Sequence, residues 1–318
     1  MIYPLLFKPV YKDYIWGGQR ILSMYQRDES PGIYAESWEL SDRSDGMSVV
    51  VNGEFKGKTL HELLNEKGNW LTGQNFDVFP LLIKLIDAKE NLSLQVHPDD
   101  LSSQKYGGEA KTEMWYILAA DAQSSVWACL KKDVEESALK KALTDKKLVD
   151  MVQRWDVKKG DVISIPGGRV HAIGAGCMML EVQQNSNTTY RLYDWDRNGL
   201  DGKPRALHID ESLKVIHWDD SANPFGVQEP LDEAHAASLL LQTPYFRLEK
   251  HFITEKWDFM WNKQSFQIFF VEEGVVDIQL VGGSETVKKG STVLIPAAAK
   301  RVKIVPKDQA TLIRVTLN

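Results

Sequence analysis

The chain has 318 residues, 43% of them hydrophobic and 26% charged, with a formal net charge of −6. That length and balance fit a globular protein with material for two cores, and the acidic charge without a long basic run argues against a nucleic-acid partner. The apolar stretches fall well short of a membrane span, the opening "MIYPLLFKPVYKDY" is too quickly charged for a secretory signal, and the two cysteines, Cys129 and Cys177, make neither a disulfide framework nor a CxxC pair, so a cytoplasmic protein with reduced thiols is expected. In chain order, β signals dominate. Asn52-Gly53 between strand-like runs predicts a hairpin in 46–60, and residues 79–98 read as two strands, followed by strands at 113–120 and 124–130. The apolar period then turns helical over 131–155, where the charges read as a solvated face, so this helix is expected to buttress the fold rather than close over a site. Strands resume at 161–166 and 177–184, and 208–218 predicts a short helix with Asp210 as N-cap. The polar stretch 219–230, with its Pro and Gly, is the best linker, and the closely spaced strands beyond it predict a sandwich or barrel. The expected domains are therefore 1–225, with the helical segments, and 226–318.

Two local patterns carry chemistry. In "LSLQVHPDD" (92–100), alternation puts Leu92, Leu94 and Val96 on one face and Ser93, Gln95 and His97 on the other, so a hydroxyl, an amide and an imidazole point the same way. A lone histidine at a strand end is more often structural than a ligand. Further on, "GDVISIPGGRVHAI" (160–173) lines up with "GSTVLIPAAAKRVKI" (290–304): both read Gly, five residues, Pro, but the first has Gly168 and His171 where the second has Ala298 and Arg301. One supersecondary unit is therefore expected twice, with a histidine in the first copy alone.

The first copy, G-x5-P-x-G-x-x-H, resembles the second conserved motif of the cupin superfamily. The first cupin motif supplies two metal ligands on one strand and a glutamate on the next, which Gln95, His97 and Glu113 match. Two imidazoles, a carboxylate and an amide suit Zn²⁺ or another divalent ion and leave room for water or substrate. Taken together, "LSLQVHPDD", "KTEMWYIL", "IPGGRVHAIG" and "LEVQQNSNTTYRLYDWDR", with "YIWGGQRI" (14–21) and "ESWELSD" (36–42), resemble the type I mannose-6-phosphate isomerases of the short bacterial branch over essentially the whole chain. The resemblance implies a mainly β fold of two cupin-like jelly-roll domains with a helical insertion in the first, one zinc per chain, and interconversion of mannose 6-phosphate and fructose 6-phosphate. It implies Gln95, His97, Glu113 and His171 as zinc ligands, Arg191 as the active-site arginine, Lys111 as a site lysine, Ser93 on the ligand face, Lys84 against the phosphate, and Glu181 facing the pocket. Longer relatives read Ser-Asp-Asn where this chain reads Ser186-Asn187-Thr188, so no acid–base role of that aspartate transfers. The missing histidine implies a metal-free second domain.

Aldose–ketose isomerisation moves a proton between C1 and C2 through an enediol or enediolate, and the base is left open among Glu181, a metal-bound hydroxide and a lysine. Arg191 suits an oxyanion or a phosphate. Blander readings stand beside these: lysines on β surfaces are usually solvated, Arg191 has Asp194 and Asp196 as ready ion-pair partners, Cys177 reads as a small buried hydrophobe, and His61, His208, His217, His235 and His251 read as structural, without partners. Trp16 beside Gly17-Gly18 is the candidate for stacking on a sugar. Two other functions compete with the isomerase: another cupin metalloenzyme such as an iron dioxygenase, and a non-catalytic sugar-phosphate-binding cupin.

Overall fold

The computed structural model describes residues 1–199 and 201–318. It divides into two compact units, each discontinuous in sequence: Tyr11–Ser37 with Ile83–Phe225, and Met1–Val10 with Trp38–Leu82 and Gly226–Asn318. One break falls at 225/226, in the polar stretch, while residues 1–10 and 38–82 group with the C-terminal segment. The reason is long-range pairing. Leu5–Lys8 pairs antiparallel with Thr292–Ile295 on one side and with Val49–Val50 on the other. Local periodicity carries no trace of such a partner.

In the unit built on Ile83–Phe225, one sheet is built on Val162–Ile165, Glu113–Ala120, Cys177–Gln184 and Leu81–Ala88, in that order. A second runs Tyr190–Tyr193, Leu94–Val96, His171–Ile173, Ser125–Leu130, Val152–Asp156. Trp115, Ile117 and Met179 from the first sheet pack with Val126, Ala128 and Ile173 from the second in one buried cluster, the apolar filling of a two-sheet β unit. The outward residues Leu94 and Val96 join a second cluster with Leu139 and Leu148. The helix there is shorter than expected. It spans Glu136–Thr144, followed by a 3-10 turn at Leu148–Met151, and residues 152–156 are a strand paired with Ser125–Leu130. Leu139 and Ala142 are its buried positions, so it buttresses the Leu94–Val96 strand as expected.

Two smaller expectations need correction. The helix at Ile209–Val215 has His208 at its N-cap position, with no side-chain capping bond, and Asp210 inside its first turn, where a carboxylate still meets the positive helix end. Asn52-Gly53 does sit in a turn, but its flanks are only Val49–Val50 and an isolated bridge to Thr59, because both amide ends of Asn52 bond across the unit to Leu6 N, Pro4 O and Glu285. The internal repeat, by contrast, is structural. Gly160 and Gly290 both turn at positive φ (91° and 78°), and each opens a strand, Val162–Ile165 or Thr292–Ile295.

Gly17 is fixed by packing. A Cβ there would lie 2.5 Å from Ala35 Cα and 2.6 Å from Ala35 N, both backbone atoms that cannot rotate away. Gly17→Ala is expected to lower unfolding free energy by about 2 kcal/mol, read as a shifted urea midpoint; an unshifted midpoint would mean the Gly17–Ala35 contact is loose.

The other unit has an eight-stranded sheet, in the order Glu229–Pro230, Ala236–Gln242, Phe246–Ile253, Ala310–Leu317, Gln267–Glu273, Thr292–Ile295, Leu5–Lys8, Val49–Val50, and a four-stranded one. Its interior holds a charged network. Glu249 accepts from Arg247 Nε at 2.6 Å, His251 Nε2 at 3.1 Å and Arg314 Nη1 at 3.2 Å, while His235 Nε2 lies 2.9 Å from His251 Nδ1. The Arg314 guanidinium sits 4.4 Å from the Trp261 ring centroid and 5.0 Å from that of Phe259. His235 and His251 therefore have partners after all, as do His61 with Asp42 (3.1 Å) and His217 with Asp99 (3.0 Å). Among the described residues no helix is long and apolar enough to cross a membrane.

Candidate active site

Strand register builds the site. Arg191 and His171 both stand opposite Gln95, on the strands flanking Leu94–Val96, so three side chains occupy one row across three neighbouring strands. His97, two residues on, shares their face, and the chain then enters a helix at Asp100–Tyr106 through an Asp99 capping box. The other sheet presents Glu113 beside Gln183 and Trp115 beside Glu181. The expected polar face of 92–97 thus meets Glu113, and His97, Glu113 and His171 are each only 1% exposed, with ligand atoms within 4.8 Å of one another.

The donor set fits a divalent metal. His97 Nδ1 bonds to Thr188 O at 2.8 Å and His171 Nδ1 to Arg169 O at 2.9 Å. A carbonyl accepts only, so both Nδ1 atoms carry the proton and both Nε2 lone pairs face the centre. Burial keeps the rings neutral, pushing His97 well below its usual range and His171 down to about 3. Each Nε2 lies 3.5 Å from a Glu113 oxygen, and Glu113 Oε1 is buried without a hydrogen-bond partner among the described residues. Burial, reinforced by the nearby Glu181 carboxylate, pushes Glu113 up to about 7. Converging lone pairs around a desolvated carboxylate favour a cation between them. Gln95 completes the set: its amide end is 3.2 Å from His171 Nε2 and 3.5 Å from His97 Nε2, and its other end accepts from Ser93 Oγ at 3.1 Å. Turned half a revolution, the amide presents oxygen to the same centre and its NH₂ to Ser93.

Around these ligands lies a cleft of about 270 Å³, lined also by Tyr14, Trp16, Glu36, Lys84, Lys111, Glu181, Asn187, Thr189, Arg191 and Arg205. Lys111 precedes its strand, with its N–H bonded to Pro98 O, yet its Nζ reaches 2.8 Å from Glu113 Oε2 and 3.2 Å from His97 Nε2. Lys84 Nζ is held 3.1 Å from Glu181 Oε1 and 3.5 Å from Glu36 Oε2. Burial works against its charge, but the two carboxylates outweigh it and hold Lys84 protonated above its usual range. Burial would likewise raise Glu181; Lys84, Lys111 and the Trp115 Nε1 donor at 3.0 Å overcome it and keep the carboxyl ionised. Arg191 has neither of the ion pairs considered from sequence. Its Nε donates to Ser93 Oγ at 3.2 Å and its Nη1 to Ala206 O at 2.8 Å, while Asp194 is taken by Arg197 and Arg205. Every residue singled out from sequence for the site is at this cleft or its ligand cluster. Sequence reasoning did not single out Glu36, which lies in the quoted "ESWELSD", or Arg205, which lies on an irregular loop with no periodic signal.

Paired β-sheets holding a buried His–Glu–His set that could hold a metal ion, beside a cleft lined by carboxylates and cations, define a cupin of the enzyme kind. Family models match in two places: phosphomannose isomerase type I, catalytic domain, at residues 5–145, and mannose-6-phosphate isomerase, cupin domain, at residues 237–317. A mannose-6-phosphate isomerase of Bacillus subtilis (strain 168) is 36% identical over 315 residues, 95% of each chain, and one from Streptococcus mutans is 36% identical over 252 residues, 79% of each. The crystal structure of the mannose 6-phosphate isomerase from Bacillus subtilis superposes with a TM-score of 0.91 at 31% identity, covering 98% of this chain and 99% of that one. The chain belongs to the type I mannose-6-phosphate isomerase family.

Proposed function

We propose that this protein interconverts mannose 6-phosphate and fructose 6-phosphate at the cleft, with one zinc ion held by His97, Glu113, His171 and Gln95. The observation that carries the reading is the convergence of two imidazole lone pairs and a desolvated carboxylate beside an ionised Glu181, in a chain of this family. A zinc ion held by those residues would supply a Lewis acid for the substrate's oxygens. Glu181 removes the proton from the carbon next to the carbonyl and returns it to the neighbouring carbon. Carboxylates do this work in other aldose–ketose isomerases. Lys84 holds Glu181 ionised and fixes its orientation. The Lys111 ammonium stabilises negative charge developing on the enediolate oxygens, with Arg191 further along the same wall. Tyr14 and Trp16 wall the cleft against water.

Metal-replete protein is expected to convert mannose 6-phosphate to fructose 6-phosphate. Glu181→Gln is expected to cut kcat by about a thousandfold with metal content unchanged. No conversion by the metal-replete wild type overturns the isomerase, and an undiminished kcat in Glu181→Gln removes Glu181 as the base.

A further inference from the structure

The second copy of the repeated turn lacks the histidine, but it is not chemically blank. After Pro296 it reads Ala-Ala-Ala-Lys-Arg-Val-Lys, so Lys300, Arg301 and Lys303 gather where the first copy runs on to His171. The strand Arg301–Pro306 lies between Trp257–Met260 and Val275–Leu280 in the four-stranded sheet. Val302 and Ile304 are fully buried in the core, so period two sends Arg301 and Lys303 to the outer face. There Lys303 stands in one row with Asp258 on one side and Gln279 on the other. A cavity of about 700 Å³ opens over that row, lined by Lys256, Lys300, Arg301 and Lys303.

The charge around this cavity is one-sided. The chain as a whole carries more acidic than basic side chains, 44 against 38, yet here four cations face one carboxylate. Asp258 takes the Arg301 guanidinium with both oxygens, at 2.9 and 3.0 Å, and among the described residues Lys256, Lys300 and Lys303 have no ion pair. One row further on, Lys307 pairs with Asp277 and the charges balance again. An ordinary solvated face intersperses the two signs, and like charges held together oppose folding. The rest of the cavity wall is apolar. Leu280, Val281, Ala298 and Ala299 line it, and Val281, 89% exposed, is the most exposed large apolar side chain among the described residues. Both apolar segments are pinned from behind: Ala297 and Ala298 donate their N–H groups to Leu71 O and Trp70 O at 2.9 and 3.0 Å, and Gly282 donates to Ile2 O at 2.8 Å.

We propose that this cavity binds a nucleoside diphosphate, with its phosphates on the four cations and its base against Leu280, Val281 and the two alanines. The site is separate from the metal-ligand cluster and does not depend on the isomerase reading. A monophosphate would neutralise only part of the excess of cations over Asp258; a diphosphate matches it. Ammonium groups are point donors that adapt to a chain of phosphate oxygens, and the one planar fork, Arg301, is already engaged by Asp258. The volume lies inside the range of small-molecule sites, about 300–1,000 Å³, and leaves room for a base and sugar beside the phosphates. An exposed apolar wall next to uncompensated charge suits a ligand that is anionic at one end and flat and apolar at the other.

The test is isothermal titration of the full-length, metal-loaded protein with ADP, AMP and adenosine at low salt. ADP is expected to bind with a Kd on the order of 100 μM, AMP about tenfold more weakly, and adenosine without measurable heat. Lys300→Ala with Lys303→Ala should weaken ADP about 30-fold, and Val281→Ser about threefold. Lys307→Ala, whose charge Asp277 already balances, should leave ADP affinity where it was. Should the double variant fail to fold, Lys256→Ala decides in its place, with an expected loss of about fivefold. Wild type that does not bind ADP, or ADP affinity that the double variant leaves unchanged, overturns the site; the second result would put the nucleotide elsewhere on the protein. AMP binding as tight as ADP removes the diphosphate, and an unmoved affinity in Val281→Ser removes the seat of the base.

Discussion

His171→Ala is expected to cut isomerase turnover by about a thousandfold, roughly 4 kcal/mol of transition-state stabilisation, and to lower bound zinc below one per chain. The cause is geometric. His171 offers one of the two Nε2 lone pairs at the centre, and its ring is fixed by a bond to Arg169 O. Removing it leaves Glu113, His97 and the Gln95 amide, a poorer set for a tetrahedral ion. Chelator-treated wild type should fall by a similar factor and recover on adding zinc, because the apo site keeps its Nδ1–carbonyl bonds. His61→Ala is the control: its ring is 42% exposed, bonded to Asp42, and outside the cleft, so activity and metal content should not move. Full activity in His171→Ala, or activity that survives exhaustive chelation, would mean that the metal centre lies elsewhere or does not serve the reaction.

The second large effect belongs to stability. Glu249 is held down to about 2: burial opposes its charge, and the bonds from His251 and Arg247 with the Arg314 charge overcome it. A carboxyl whose folded value lies below its unfolded one stabilises the fold above the unfolded value, near 4.3, and loses that contribution as pH falls toward the folded value. The shift corresponds to about 3 kcal/mol at neutral pH. Glu249→Gln should therefore lower the unfolding free energy by about that amount at pH 7, and the gap to wild type should close as pH is taken down from about 4.5 toward 2. The aromatic rings around Arg314 soften the loss by facing its charge once the carboxylate is gone. Urea titrations of both proteins across that pH range decide it. A gap that persists undiminished to the lowest pH at which wild type folds would show that packing, and not the charge, is what Glu249 contributes.

How much of the site and fold is legible in the sequence depends on the pattern each residue sits in. Ser93, Gln95 and His97 can be placed on one face because a strand has period two and their neighbours Leu94 and Val96 are apolar. His171 follows from the Gly-Pro-Gly framework of its turn, and the turn recurs in the second copy with Gly290 and Pro296. Glu36 lies in Glu36–Leu40, where every residue is buried, so alternation gives no face to read. Residues 152–156 have apolar spacing that suits a helix or a strand, and pairing with Ser125–Leu130 decides for the strand. The first ten residues carry no mark of a partner near 294. Arg205 sits on a loop whose course is set by two left-handed residues, Trp195 and Asp196, and by the Trp195 bond to Leu92 O, none of which has a periodic signature.

The shared row of His171, Gln95 and Arg191 acts as a ruler. Neighbouring strands stand about 4.8 Å apart, so a metal ligand and a cation set on successive strands of one row are separated in fixed steps, whatever their side chains. The steps run out at Arg191, because Tyr190–Tyr193 is the last strand of its sheet. A substrate that reaches farther cannot be met by another column of the sheet. Beyond that edge the cleft is lined by the chain that leaves the strand and returns through Arg205, so its outer wall is loop where its inner wall is sheet.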